Sequence, residues 1–267
     1  MKEILYQQYF GAQFIALAGR FLNQQRADDS NTTMTFDSRQ QRLVGETFQD
    51  RFKLSLNLTD LSLILSEGDS SESNPQLLTG NTRVEAFTIF HHMIVNKGIY
   101  HYNLKHQLHY DLPDHPLHEM DRFTYEDQDF IKENIKQRHN AEMILRDAVS
   151  EEQNADPVRI WPHHFDTGTL IPLERTGEGE LIKSVGLGWA IPDGMIDEPY
   201  FYLSYWSKDP DSFPDNLPSL KAGKWMNPEW NGAVLRLSEI LTRDSADGQY
   251  ELVRSFFNAG IKTTKSL

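Results

Sequence analysis

The sequence predicts an α+β fold, mostly antiparallel sheet with helices packed on it. Two-residue alternation of apolar and polar side chains in Phe52–Leu58, and again over 100–112, marks half-buried strands. Large apolar residues at helical spacing near the start, and capped segments that end at glycine, mark helices between the strand runs. A phenylalanine-bearing helix is followed by Gly98-Ile99 in one half and by Gly260-Ile261 in the other, which raises an internally duplicated strands–helix–strand unit.

Ile4 to Asn23 carries Leu5, Phe10, Phe14, Leu17 and Phe21 on one helical stripe, and the polar stretch Arg26–Thr33 ends it. A strand pair is expected at Met34–Phe36 and Leu43–Thr47. In Phe52–Leu58 the alternation is strict, then Thr59-Asp60 breaks the phase before Leu61, Leu63 and Leu65 resume it. A tight hairpin explains the shift, and so does a bulge. The acidic run Glu67–Asn74 reads as a surface loop.

Asn81 or Thr82 caps a helix to Lys97 that stops at Gly98, with Val84, Phe87, Phe90, His91 and Ile94 inward. The segment 100–112 then reads as one long strand: Tyr100, Tyr102, Leu104, Leu108 and Tyr110 inside with His106 among them, and Asn103, Lys105 and Gln107 outside. Thr124 and Asp127 open a long helix to about Ser150, with Ile131, Ile135, Ile144 and Leu145 inward. The polar stretch Glu151–Pro157 is a linker. Beyond it, strands are expected near 158–171, 182–191, 198–206 and 232–240, then a helix over 246–259 and a short final strand from Ile261. The halves 1–151 and 158–267 read as parts of one compact body.

Composition narrows the function classes. Acidic residues outnumber basic ones 39 to 26, a net charge of −13. Such a surface repels phosphate backbones and anionic lipid, so neither nucleic acid nor membrane is an expected partner. With no cysteine, disulfides, thiolate nucleophiles, thiolate zinc sites and iron–sulfur clusters are excluded. Met1-Lys2-Glu3 does not open an apolar signal core, and the expected location is cytoplasmic, of bacterial type. There is no P-loop, Gly-x-Gly-x-x-Gly turn, Gly-x-Ser-x-Gly elbow or His-Glu-x-x-His helix. Gly186-Leu-Gly188 is too short for a dinucleotide turn. No cofactor is indicated and no metal site is assigned.

Two segments could carry chemistry. In Arg159–Asp166 a continuous strand would set Trp161, His163 and Phe165 on one face and His164 and Asp166 on the other. Side chains two apart on a strand stand about 7 Å from one another, so His164 and Asp166 could share a metal ion, or Asp166 could orient a histidine as general base. Equally, Trp161 and Phe165 pack and the histidines bond locally. In Glu198–Trp206, Phe201, Leu203 and Tyr205 form a packing face, and Glu198, Tyr200, Tyr202, Ser204 and Trp206 form an aromatic face with hydrogen-bonding tips. That second face suits a ligand cleft or an inter-sheet core. The stretch holding Asp114, His115, His118 and Glu119 is metal-friendly by composition but reads as a solvated loop. Trp225 and Trp230, around Asn227-Pro228, rim a pocket or brace a turn.

Through most of its length the chain resembles an uncharacterised bacterial family, a domain of unknown function. The resemblance rests on the hairpin Phe52–Leu65 with Asp60 at its turn, the helix before Gly98-Ile99, Trp161-Pro-His-His-Phe-Asp166, Glu198-Pro-Tyr-Phe-Tyr202 and the Trp225/Trp230 region. In that family the paired histidines can read His-Ser. The resemblance therefore implies a role for His163 ahead of His164, with Asp166 folding back by hydrogen bond or across a bulge. It implies no activity.

Two functions are compatible with these residues. One is a small-molecule cleft in the C-terminal half, with His163, Asp166 and Glu198 as polar groups and Trp161, His164, Tyr200, Tyr202 and Trp206 as walls. If that cleft is catalytic, hydrolysis with His163 as base is the least strained chemistry. The other is a non-catalytic module whose aromatic surfaces bind protein.

Overall fold

The computed structural model describes residues 2–68, 71–99, 103–118 and 120–267. The chain is α+β with antiparallel pairing in its sheets, and it folds as two compact units. The first comprises residues 1–139 and 159–165; the second comprises 140–158 and 166–267.

The first unit is organised around helix α1 (Lys2–Leu22), which buries residues on every side. A helix buried all round is usually apolar throughout. This one carries Gln7, Gln8 and Gln13 at 3% exposure or less, and each amide works as a latch. Gln7 accepts from the Thr124 N–H at 3.2 Å. Gln8 donates to the Tyr125 hydroxyl, which donates in turn to the Leu58 carbonyl, both at 2.7 Å. Gln13 donates to the carbonyls of Tyr9 and Pro162 at 3.0 Å and accepts from the Tyr110 hydroxyl at 2.7 Å.

The sheet of this unit runs β7-β1-β2-β3-β4-β5, where β1 is Met34–Asp37, β2 Arg42–Gly45, β3 Phe52–Asn57, β4 Ser62–Glu67, β5 Ser71–Glu72 and β7 Arg159–Trp161; β6 (Gln76–Leu77) also pairs with β4. The phase shift after Leu58 is a hairpin. Asn57 faces Ser62 in register, the Asp60 carboxylate accepts from the Ser62 N–H and hydroxyl at 3.1 and 2.7 Å, and Leu61 takes the left-handed conformation at φ 57°. Thr82 caps α2 (Arg83–Val95) in a reciprocal box with Glu85, and Gly98 ends that segment at φ 73°. The buried face of α2 is Ala86, Phe90, Met93 and Ile94. Val84 and His91, expected inside, are exposed, because the apolar stripe follows the i, i+4, i+7, i+8 rows from Ala86.

The long strand expected over 100–112 is absent from the described part of that range, residues 103–112. Residues 100–102 lie outside the described residues. From Asn103 to Leu112 the chain is irregular, with Asn103, Lys105, His106 and Gln107 exposed and Leu104, Leu108 and Tyr110 half-buried. The alternation reflects a segment with one side turned to the protein. It joins no ladder among the described residues, and alternation without a partner strand does not make a sheet. His106, expected inside, is exposed.

Helix α3 (Gln128–Ala148) opens at Asp127, whose carboxylate accepts from the Phe130 N–H at 3.2 Å, and it buries Ile131, Ile135, Ile144 and Leu145. Its last turns, from Asn140, belong to the second unit. There the sheet order is β11-β12-β10-β9-β8, with β8 Asp166–Arg175, β9 Leu181–Ala190, β10 Tyr200–Ser207, β11 Lys224–Trp225 and β12 Gly232–Arg236. One face packs on α5 (Ala246–Thr264). Phe201 meets Phe257 edge-on at 5.7 Å, and Gly260 lies so close to Leu203 that an added Cβ would stand 2.6 Å from its Cδ1. Ile261, expected to open a final strand, lies inside α5. Gly260 does not end the helix, which runs on to Thr264, where Lys265 takes the C-cap position in right-handed helical conformation.

Candidate functional site

The strand expected over 158–171 is interrupted. β7 ends at Trp161, and Pro162–Phe165 forms a turn closed by the Phe165 N–H on the Trp161 carbonyl at 2.8 Å, with Phe165 at φ 56°. The alternation of faces through His163, His164 and Asp166 therefore does not hold, and the i, i+2 spacing on which a His164–Asp166 chelate depended is lost. Proline at 162 and a left-handed Phe165 both break the ladder.

The first unit holds Trp161, His163 and His164; the second holds Asp166, Glu198, Tyr200, Tyr202 and Trp206. His163 is half-buried, and its carbonyl accepts from the Tyr9 hydroxyl at 2.5 Å while its ring lies 6.0 Å from those of Tyr110 and Trp161. His164 is exposed.

In the second unit the aromatic face of β10 is present as expected. Tyr202 donates to the Asp166 carboxylate at the start of β8, and the Trp230 ring meets Tyr202 at 6.3 Å. Tyr200 donates to Asp193 at 2.7 Å, and the other oxygen of Asp193 accepts from the N–H groups of Met195 and Ile196. Burial pushes the pKa of both phenols up, and the adjacent carboxylates push further in the same direction. Glu198 is committed elsewhere: it accepts from the Ser238 N–H at 2.7 Å and hydroxyl at 2.9 Å, with Arg236 at 3.7 Å. Ser238 is in the first turn of α4 (Leu237–Ile240), so Glu198 supplies the cap that Arg236, at the N-cap position, does not. Trp206 is 48% exposed. Trp225 donates to the Pro218 carbonyl at 2.9 Å and packs on Phe213.

A cavity of about 370 Å³ lies within the first unit. Phe10, Phe14 and Leu17 of α1, with Val84 and Phe87 of α2, supply its apolar wall, and Leu108 and Leu112 of the irregular segment complete it. Its polar groups are Arg83, Gln13, Tyr110, His118, His106, Gln107 and Asp111. The Arg83 guanidinium rests 5.2 Å from the centre of the Phe10 ring and donates to His118 Nδ1 at 3.0 Å. Since arginine only donates, Nδ1 is the accepting nitrogen and Nε2–H donates to the Leu112 carbonyl at 3.3 Å. Burial disfavours the charged form of Arg83 and draws its pKa below the usual arginine value, yet a guanidinium stays protonated. Tyr110 is pushed up by burial.

No family model, curated protein or solved structure matches the chain. No helix among the described residues is long and apolar enough to cross a membrane, and no group of three or more His, Asp or Glu is placed among them to hold a metal ion.

The sequence reading passed over Arg83, Gln13 and Tyr110 as site residues. A signal existed for Gln13: three glutamines within the otherwise largely apolar stretch from Ile4 to Gly19 need buried partners. For Arg83 there was none, since an arginine in the first turn after a cap reads as solvated.

Proposed function

We propose that this is a small-molecule binding protein whose ligand occupies the cavity of the first unit. The observation that carries the reading is the make-up of that cavity: aromatic and aliphatic walls from two helices, with the Arg83 guanidinium, which keeps N–H donors unspent, lining the same space. Pockets of about 300–1,000 Å³ with apolar walls and a few placed polar groups serve small ligands. A pocket of about 370 Å³ takes a compact one.

The tyrosine–carboxylate pairs of the second unit support the assignment by contrast. The Tyr200 and Tyr202 phenols are each spent on a carboxylate and Glu198 is spent on a helix end, so we read those groups as structural.

Val84 lines the cavity and is 66% exposed, so Val84→Trp fills the space without disturbing the core. Compounds that raise the melting temperature of the wild type, as ligands binding the folded state must, are expected to leave Val84→Trp unmoved. A thermal-shift screen in which every hit shifts both proteins equally removes the cavity as the binding site.

A further inference from the structure

We propose that the ligand of this cavity is a one-ring or branched-chain monocarboxylate, its apolar body on the phenylalanine wall and its carboxylate on Arg83. This rests on the cavity being the binding site.

The charge on Arg83 is the starting point. It is half-buried against Phe10, and among the described residues no carboxylate lies within ion-pair distance of it. The protein holds 39 acidic residues against 26 basic ones, so a partly desolvated cation left without a carboxylate partner stands out. Its one side-chain hydrogen bond goes to a neutral acceptor, His118 Nδ1. That bond orients the guanidinium and leaves further N–H donors unspent. The lowered pKa of Arg83 has the same cause, a charge removed from water without compensation. An anion entering the cavity supplies what is missing, and arginine's planar fork matches a carboxylate in two bonds.

Size and charge select the class. Phe10, Phe14, Leu17 and Phe87 present ring faces and methyl groups suited to one aromatic ring or a branched alkyl chain. Asp111 also lines the space, and its charge opposes a second negative charge on the ligand, as does the net charge of −13. A singly charged carboxylate is therefore favoured over a phosphate ester.

The experiment pairs acids with their amides. Phenylacetate, 3-phenylpropanoate and isovalerate, each against its primary amide, and phenyl phosphate as a doubly charged arm, are titrated into the protein by calorimetry and by ligand-observed NMR. At least one acid is expected to bind about tenfold or more tighter than its amide, the scale of one hydrogen bond to a charged group, and phenyl phosphate is expected to bind more weakly than that acid. Arg83→Gln should bring the acid down to the level of its amide, Arg83→Lys should keep part of the preference, and Val84→Trp should weaken acid and amide together. An amide that binds the wild type as tightly as its acid overturns the carboxylate assignment and leaves the cavity reading standing. Phenyl phosphate binding tightest overturns the single-charge assignment. Acids and amides that all fail to bind, or that bind Val84→Trp as well as the wild type, overturn this inference together with the cavity reading.

Discussion

Tyr202 on β10 reaches Asp166 on β8 across the intervening strand, over the bare Cα of Gly188. The register places Gly168, Gly188 and Tyr202 in one row, and a Cβ at Gly188 would lie 2.4 Å from the Tyr202 hydroxyl. Gly188 matters here for the space it leaves. Gly188→Ala is expected to displace the ring and break its hydrogen bond to a buried carboxylate, costing about 3 kcal/mol from overpacking and the lost bond together. Urea denaturation measures it. In a Tyr202→Ala background the same substitution should cost little, since the ring it would strike is gone; a cost that persists there refutes the relationship.

Four tyrosines whose pKa is raised chiefly by burial set an alkaline limit. Burial is the first cause at Tyr110, Tyr125, Tyr200 and Tyr202, each raised from an ordinary value of 10.0. A phenol that stays protonated in the fold and ionises near pH 10 when unfolded stabilises fully below that pH. Above it, stability falls by about 1.4 kcal/mol per pH unit for each such group. Phenolate absorbance should rise first for the other tyrosines, and these four should ionise only together with unfolding, seen by circular dichroism. A single smooth titration of all ten tyrosines with the fold intact would contradict this.

Glu198 caps α4 from forty residues away in sequence. Glu198→Ala should cost about 1 kcal/mol, the usual worth of a cap, and should speed hydrogen exchange at the Ser238 amide while leaving ligand affinity in the first unit unchanged. Unaltered exchange at Ser238 would show that the cap contributes nothing.

Gln13 ties α1 to the Pro162 carbonyl and to Tyr110 on the cavity wall. Replacing it with leucine keeps the volume and strands two polar partners, so Gln13→Leu should destabilise by about 2–4 kcal/mol. Tyr110→Phe, which removes only one bond, should cost about 1 kcal/mol. Equal costs for the two variants would mean that the Pro162 contact is idle.

Features decided within a few neighbouring residues were legible. The hairpin at Asp60, a helix cap at Asn81 or Thr82 (it is Thr82), the Gly98 terminus, the α3 stripe and the two faces of β10 follow from turn chemistry and side-chain period. The strand expected over 100–112 shows the limit of that reasoning. Its alternation records which side chains face the protein, and Asn103–Leu112 shows that a sidedness pattern forms without a sheet.

What the sequence by itself determined is therefore the fold class, most helices and hairpins, and the division of β10 into a packing face and an aromatic face, because each depends on local bonding or on a period written along the chain. Only the tertiary structure decided that 158–171 breaks at Pro162–Phe165, that Glu198 serves a helix end, and that Arg83, Gln13 and Tyr110 line one cavity. The last two relationships join residues from tens to about a hundred positions apart, and their spacing in sequence carries no trace of their distance in space; the break is local, but the alternation around Pro162 masks it.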